Sequence, residues 1–102
     1  MRTLHHPRAD EISLPEVLHA LSDPVRLEVV RLLGDMEERP CSAVEAKVAK
    51  STLSHHFKVL REAGITHTRA NGTHRLMSLR RDDLEARFPG LIDSVLNATH
   101  AS

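Results

Sequence analysis

The segment from Ser51 to Ala63 holds the side chains best suited to chemistry. Ser51, Thr52 and Ser54 offer hydroxyls, His55 and His56 offer imidazoles, and Lys50, Lys58 and Arg61 supply cations. Hydroxyls and imidazoles hydrogen-bond to base edges, whereas long cationic side chains reach the flanking phosphates. With Leu53 at zero on a helical wheel, Phe57 and Leu60 fall within about 40°, while Ser54, His55, Lys58 and Arg61 fall between about 80° and 200°. One side of such a helix packs and the other faces outward, with Ser51, Thr52, Ser54 and His55 as base-reading candidates. A merely solvated amphipathic helix would show the same wheel, so the residues that follow must decide.

Thr66–Ala70 and Thr73–Leu79 are rich in strand formers and flank Asn71-Gly72. Asn-Gly favours the type I′ turn, whose two central residues both need positive φ. A β-hairpin is therefore predicted over residues 65–80, with Arg69, Asn71, Gly72, His74 and Arg75 at or beside its tip. A protruding basic ribbon can follow the DNA backbone or enter the minor groove. Such a wing beside the Ser51–Ala63 helix favours the DNA reading over the solvated helix.

Charge agrees once it is counted by segment. The chain is neutral overall, yet residues 1–46 carry five Arg against nine acidic residues, and residues 82–102 carry one Arg against four. Between them lie Lys47, Lys50, Lys58, Arg61, Arg69, Arg75, Arg80 and Arg81 against Glu62 alone. Gathering positive charge in the middle third attracts phosphate there and keeps the remaining surface from clinging to polyanions.

The elements that must position this face can be read from spacing. Leu14, Val17, Leu18 and Leu21 form one stripe of a first helix over 14–21. Asp23 is a good N-cap and Pro24 suits the first helical position, so a second helix runs from there to about Asp35, ending near Gly34, with Val25, Val29, Leu32 and Leu33 inward. After a polar link over 36–40, Val44, Val48 and small alanines predict a short third helix over Cys41–Lys50. Ser51 then N-caps the helix that Gly64 closes, and the two make a helix-turn-helix over 41–63. The tail over Arg81–Ala98 is helical with a break at Pro89-Gly90. Residues 1–10 read as a polar arm.

Other chemistries are poorly served. Cys41 is the one cysteine, which excludes an internal disulfide; near a helix start its thiol is a candidate redox sensor, set against a small cysteine that simply packs. Eight histidines invite nickel or zinc as an effector, with His5, His6, His19 and His100 as weak candidate ligands, although histidines on polar faces are commonly plain surface residues. There is no Gly-rich phosphate loop, GxSxG, HExxH or paired-cysteine motif, so an enzyme is not expected. No basic start plus long apolar run marks a signal peptide or membrane span, and a cytoplasmic protein is expected.

Leu21-Ser22-Asp23-Pro24-Val25-Arg26-Leu27, followed by Ser51-Thr52-Leu53-Ser54-His55-His56-Phe57-Lys58-Val59-Leu60-Arg61-Glu62-Ala63-Gly64-Ile65, resembles the bacterial ArsR family of winged-helix regulators. The resemblance covers about Leu14–Leu96. It implies a homodimeric repressor or regulator of transcription, with first and last helices (14–21 and 82–98) at the dimer interface and an effector, often a metal ion, that alters DNA affinity. The family's Cys-x-Cys pair in the third helix and its Asp/His cluster on the last helix are both missing here. Independently, Val17, Leu18 and Leu21 with Leu91, Ile92, Val95 and Leu96 form more apolar surface than so small a monomer easily hides.

The expected fold is thus mainly α (α+β): one winged helix-turn-helix domain over 1–102, with about five helices and a two-stranded wing. A protein-interaction module on the same scaffold is the alternative. It has no need to gather charge on one helix and a hairpin.

Overall fold

The computed structural model describes residues 4–35, 38–44 and 48–101, with side chains through Thr99. Ser13 opens helix α1 (Leu14–Ala20), where its Oγ accepts from the Glu16 amide at 3.4 Å and Pro15 lies in the first turn. Asp23 caps α2 (Pro24–Gly34) as expected, its Oδ2 accepting from the amides of Val25 at 2.8 Å and Arg26 at 3.1 Å. The inward face of α2 is rotated from the expected stripe. Val29, Val30 and Leu33 are buried together with Arg26, whereas Val25 and Leu32 are only half-buried.

The link after α2 contains a strand that its sequence did not announce, β1 (Arg39–Pro40). It pairs antiparallel with β3 (His74–Leu79), which also pairs with β2 (Thr66–Asn71), so the sheet order is β1-β3-β2. The helix expected over Cys41–Lys50 is not found among the described residues. Cys41–Ala43 form one 3-10 turn, Val44 is extended and buried, and Ala49 is extended again, while residues 45–47 lie outside the description. Pairing of β1 with β3 delivers the backbone to Cys41 in an extended state, and two valines four residues apart are weak inducement to leave it.

Helix α3 (Lys50–Glu62) ends at Gly64, whose φ of +87° only glycine adopts without strain. A Cβ there would also lie 2.5 Å from Ile12 Cγ1, so close packing demands glycine a second time. After the sheet, α4 (Arg81–Arg87) and α5 (Leu91–Ala101) are separated at Phe88–Gly90, where the Pro-Gly break was expected. The core joins Ile12, Val17, Val30 and Leu33 to Leu60, Ile65 and Met77, and Leu84, Ile92 and Leu96 close it from the C-terminal side.

The opening segment is fastened rather than loose where it is described. As an edge strand, β2 has amides with no strand partner, and His6 Nε2 accepts from the Thr68 amide at 3.0 Å. The His6 ring stacks on His67 with centroids 4.4 Å apart, and Arg80 Nη1 donates to the buried Pro7 carbonyl at 2.7 Å. Burial, with the neighbouring His67, holds the His6 pKa below the ordinary histidine value. The unfolded chain therefore takes up this proton more readily than the native one. Stability contributed by the site is full above the ordinary histidine range and falls as pH drops through it toward the lowered native value. His6→Gln, which keeps an acceptor but does not titrate, should shrink the stability difference between about pH 7.5 and about pH 5.5 in urea unfolding. An undiminished difference would remove His6 from the acid response.

Candidate nucleic-acid interface

Helix α3 begins one residue earlier than expected. Ala49 holds the cap position with φ −62° and ψ 151° and supplies no side-chain hydrogen bond, so Ser51 is not the N-cap. Its hydroxyl is left out of capping and exposed, as are Lys50, Thr52, Ser54, His55 and Lys58. The first two turns of α3 thus present three hydroxyls and one imidazole to solvent, bracketed by two lysines. That is the composition a major-groove reading helix needs. Arg61 is half-buried, in keeping with its wheel position beside Phe57.

His56 turns the other way. It is only 9% exposed and its Nδ1 lies 3.1 Å from Arg26 Nη1. A guanidinium can only donate, so Nδ1 accepts and the ring proton sits on Nε2, which lies 3.9 Å from Asp23 Oδ2. Arg26, 8% exposed, also donates through Nε to the Ala20 carbonyl at 2.6 Å and through Nη2 to the His19 carbonyl at 3.2 Å. One guanidinium thereby ties the end of α1 to α3 from a seat on α2. His56, expected among the DNA-binding residues, belongs to this internal strut and not to the exposed face of α3. Burial works to raise the Asp23 carboxyl, but the amides of Arg26 and Val25, with His56 and Arg26 nearby, hold it below its ordinary value.

The signal for both residues was present. Arg26, Val29, Val30 and Leu33 are spaced i, i+3, i+4, i+7, and His56 falls about 60° from Leu53 on the side away from Lys58 and Arg61. Polarity kept them off the expected inward stripes, although polar groups enter cores when every donor finds an acceptor.

The wing forms, with its turn shifted by one residue. Asn71 pairs with His74, so Gly72-Thr73 make the two-residue loop. Gly72 has φ +63° and no non-glycine residue among those described has positive φ, which is the pattern of a II′ turn. Asn71, Gly72, His74 and Arg75 are exposed at this tip. Arg69 is exposed too, but its Nε and Nη2 donate to Glu38 at 2.7 and 2.8 Å. Arg75 is thus the wing arginine that no carboxylate among the described residues engages.

The apolar residues expected at a dimer interface divide. Val17, Leu21, Ile92 and Leu96 are core residues of the single chain, whereas Leu91 and Val95 are half-buried against that core. Leu18 is 49% exposed and Leu14 41%. Folding on one chain hides more of both stripes than their hydrophobicity suggested, because α1 packs on α3 and α5 packs on α2 within the monomer.

Cys41 is half-buried, and burial pushes its thiol pKa up despite the nearby Arg75 and Arg61. That opposes the lowered pKa a reactive sensor thiol needs. The described residues hold no group of three or more His, Cys, Asp or Glu able to take a metal. Of the four histidines considered as ligands, His6 is engaged with Thr68 and His67, His5 and His19 are exposed, and the His100 side chain lies outside the description.

Comparison with known proteins accords with this geometry. A helix-turn-helix domain model matches residues 21–69. The chain is 36% identical over 91 residues to an uncharacterized HTH-type transcriptional regulator of Bacillus subtilis, covering 86% of this chain and 91% of that protein. It is 37% identical over 73 residues to the arsenical resistance operon repressor of Staphylococcus xylosus, covering 71% of this chain and 70% of that repressor. The crystal structure of the transcriptional repressor BigR from Xylella fastidiosa superposes with a TM-score of 0.66 at 31% identity, covering 83% and 84% of the two chains. The chain belongs to the ArsR family of winged-helix transcriptional regulators. As a member it is a DNA-binding regulator and not an enzyme. No helix among the described residues of this regulator is long and apolar enough to cross a membrane.

Proposed function

We infer that this ArsR-family regulator is a cytoplasmic repressor that binds an operator as a homodimer, reading bases with Ser51, Thr52, Ser54 and His55 and holding phosphates with Lys50, Lys58, Arg75 and His74. One observation carries the reading: the exposed first two turns of α3 stand with an unengaged wing arginine in the one segment of the chain where positive charge gathers. Two copies would set two such helices on two half-sites about one helical turn apart. Selection of bound fragments from genomic DNA should return a single enriched sequence with paired half-sites. Enrichment of no sequence over background would overturn the proposal.

The wing should add affinity without much sequence preference. Arg75→Ala is expected to weaken operator and random DNA alike and to make the salt slope of binding shallower by about one unit. Arg69→Ala should change the slope less, because Glu38 already offsets that charge. Equal slopes for the wild type and Arg75→Ala would take Arg75 off the phosphate.

The dimer seam should run through the exposed face of α1. Light scattering is expected to give about twice the 11.4 kDa chain mass, and Leu18→Asp to give the single-chain mass with an unchanged far-UV spectrum. Leu96→Asp is unsuitable, since it would place a carboxylate in the monomer core. A Leu18→Asp protein that stays dimeric would place the seam elsewhere.

A further inference from the structure

A cavity of about 390 Å³ lies between the first turns of α3, the Cys41–Val44 segment and the wing at Thr68 and Arg75. We propose that it binds a small amphipathic monoanion, a carboxylate on an apolar body, and that its occupation excludes DNA. The second half rests on the operator reading above; the first does not.

The lining has two characters. Val44, Leu53 and Phe57 supply an apolar surface, while Lys50, Arg61 and Arg75 supply three cations, and no carboxylate lines the cavity among the described residues. Volume and composition match small-molecule sites, which are mostly apolar with a few placed polar groups. Arg61 is half-buried, its Nε sealed from solvent without an acceptor, so its charge sits partly desolvated and uncompensated in the wall. An anion brought to that wall meets the half-buried Arg61, where attraction is stronger than in water, with the exposed Lys50 and Arg75 alongside. The cavity also abuts the positive end of α3, where Ala49 contributes no side-chain acceptor.

Duplex phosphates explain the cations but not the rest. A phosphate contact needs an exposed cation and has no use for Leu53 and Phe57 beside it. A carboxylate with a hydrocarbon or aromatic body uses both parts of the lining. Lys50, Ser54 and Arg75 belong to the cavity wall and to the DNA-facing surface together, so one occupant removes them from the other.

The test titrates the full chain with sodium benzoate by calorimetry, with benzamide as the uncharged analogue and sodium chloride at equal ionic strength as the salt control. Benzoate is expected to bind once per chain, about tenfold or more tighter than benzamide, and Arg61→Gln and the surface variant Arg75→Gln should each weaken it about tenfold. Equal binding of benzoate and benzamide, or benzoate binding indifferent to Arg75→Gln, would overturn the site. In the second arm, saturating benzoate should lower operator affinity about tenfold beyond the salt control. Benzoate bound with operator affinity unchanged would overturn the exclusion. A chain that selects no operator fails the DNA reading, while the calorimetry, which contains no DNA, still decides the site.

Discussion

Replacing Ser54 and His55 together by alanine is expected to leave random-sequence DNA binding nearly unchanged while operator affinity falls by about 1–3 kcal/mol per lost base contact. Both side chains are exposed on the first two turns of α3, and neither belongs to the buried side formed by His56 and Leu60. The fold should therefore survive, and alanine at two helical positions favours the helix if anything. The phosphate contacts proposed for Lys50, Lys58 and Arg75 would stay in place, which keeps the sequence-independent part of binding. The specificity ratio then collapses, by about 30- to 2 × 10⁴-fold if both contacts are base contacts. Lys58→Ala is the control and should lower both affinities together. A double variant that keeps full preference for operator over random DNA would show that base reading lies on another surface.

What the sequence made legible follows from which signals are local. The Asp23-Pro24 start, the Gly64 stop and the Pro89-Gly90 break depend on backbone preferences of a few residues, and each appears where expected. Turn chemistry placed the hairpin but missed its centre by one residue, because pairing of Asn71 with His74 is decided by the register of the whole β2–β3 ladder. The two-residue strand β1 carries too few residues for any periodicity and exists because β3 offers it an edge. Tertiary contact likewise decided the His6 arm, whose acceptor role needs an unpaired amide 62 residues away.

The proposed DNA face shows the same division. Which residues of α3 lie outward was readable from a wheel, and the exposed set is the expected one apart from His56, with Arg61 half-buried at its margin. Competition for a charged side chain was not readable. Glu38 occupies Arg69 from 31 residues away, and nothing in the spacing of either residue announces it. Apolar stripes had a similar ambiguity, since hydrophobicity says that a face is covered without saying whether the same chain or a second copy covers it. For Leu96 the answer is α2, whereas Leu18 stays 49% exposed on the described chain.

Arg26→Met is expected to cost about 3 kcal/mol of stability or more, the largest effect of any single change considered. Methionine fills much of the volume but donates nothing, so the Ala20 carbonyl and His56 Nδ1 both lose this partner in a buried setting, while the His19 carbonyl keeps the Ser22 amide and hydroxyl. Each unsatisfied buried acceptor costs about 1–3 kcal/mol, with water recovering part where it can enter. For a domain of this size such a loss lowers Tm by roughly 12–24 °C. Arg26→Lys should recover only part, because an ammonium cannot span three acceptors in the plane of a guanidinium. His56→Ala removes one acceptor from the same strut, so the Arg26→Met, His56→Ala double variant should be less destabilised than the two single losses added together. The Lys variant, still folded at low temperature, should also bind operator less tightly, since the strut sets how α3 sits against α1 and α2. Urea unfolding of all four proteins checks the energies. A loss under about 1 kcal/mol for Arg26→Met, or strict additivity with His56→Ala, would show that the Arg26–His56 contact does not hold the reading helix in place.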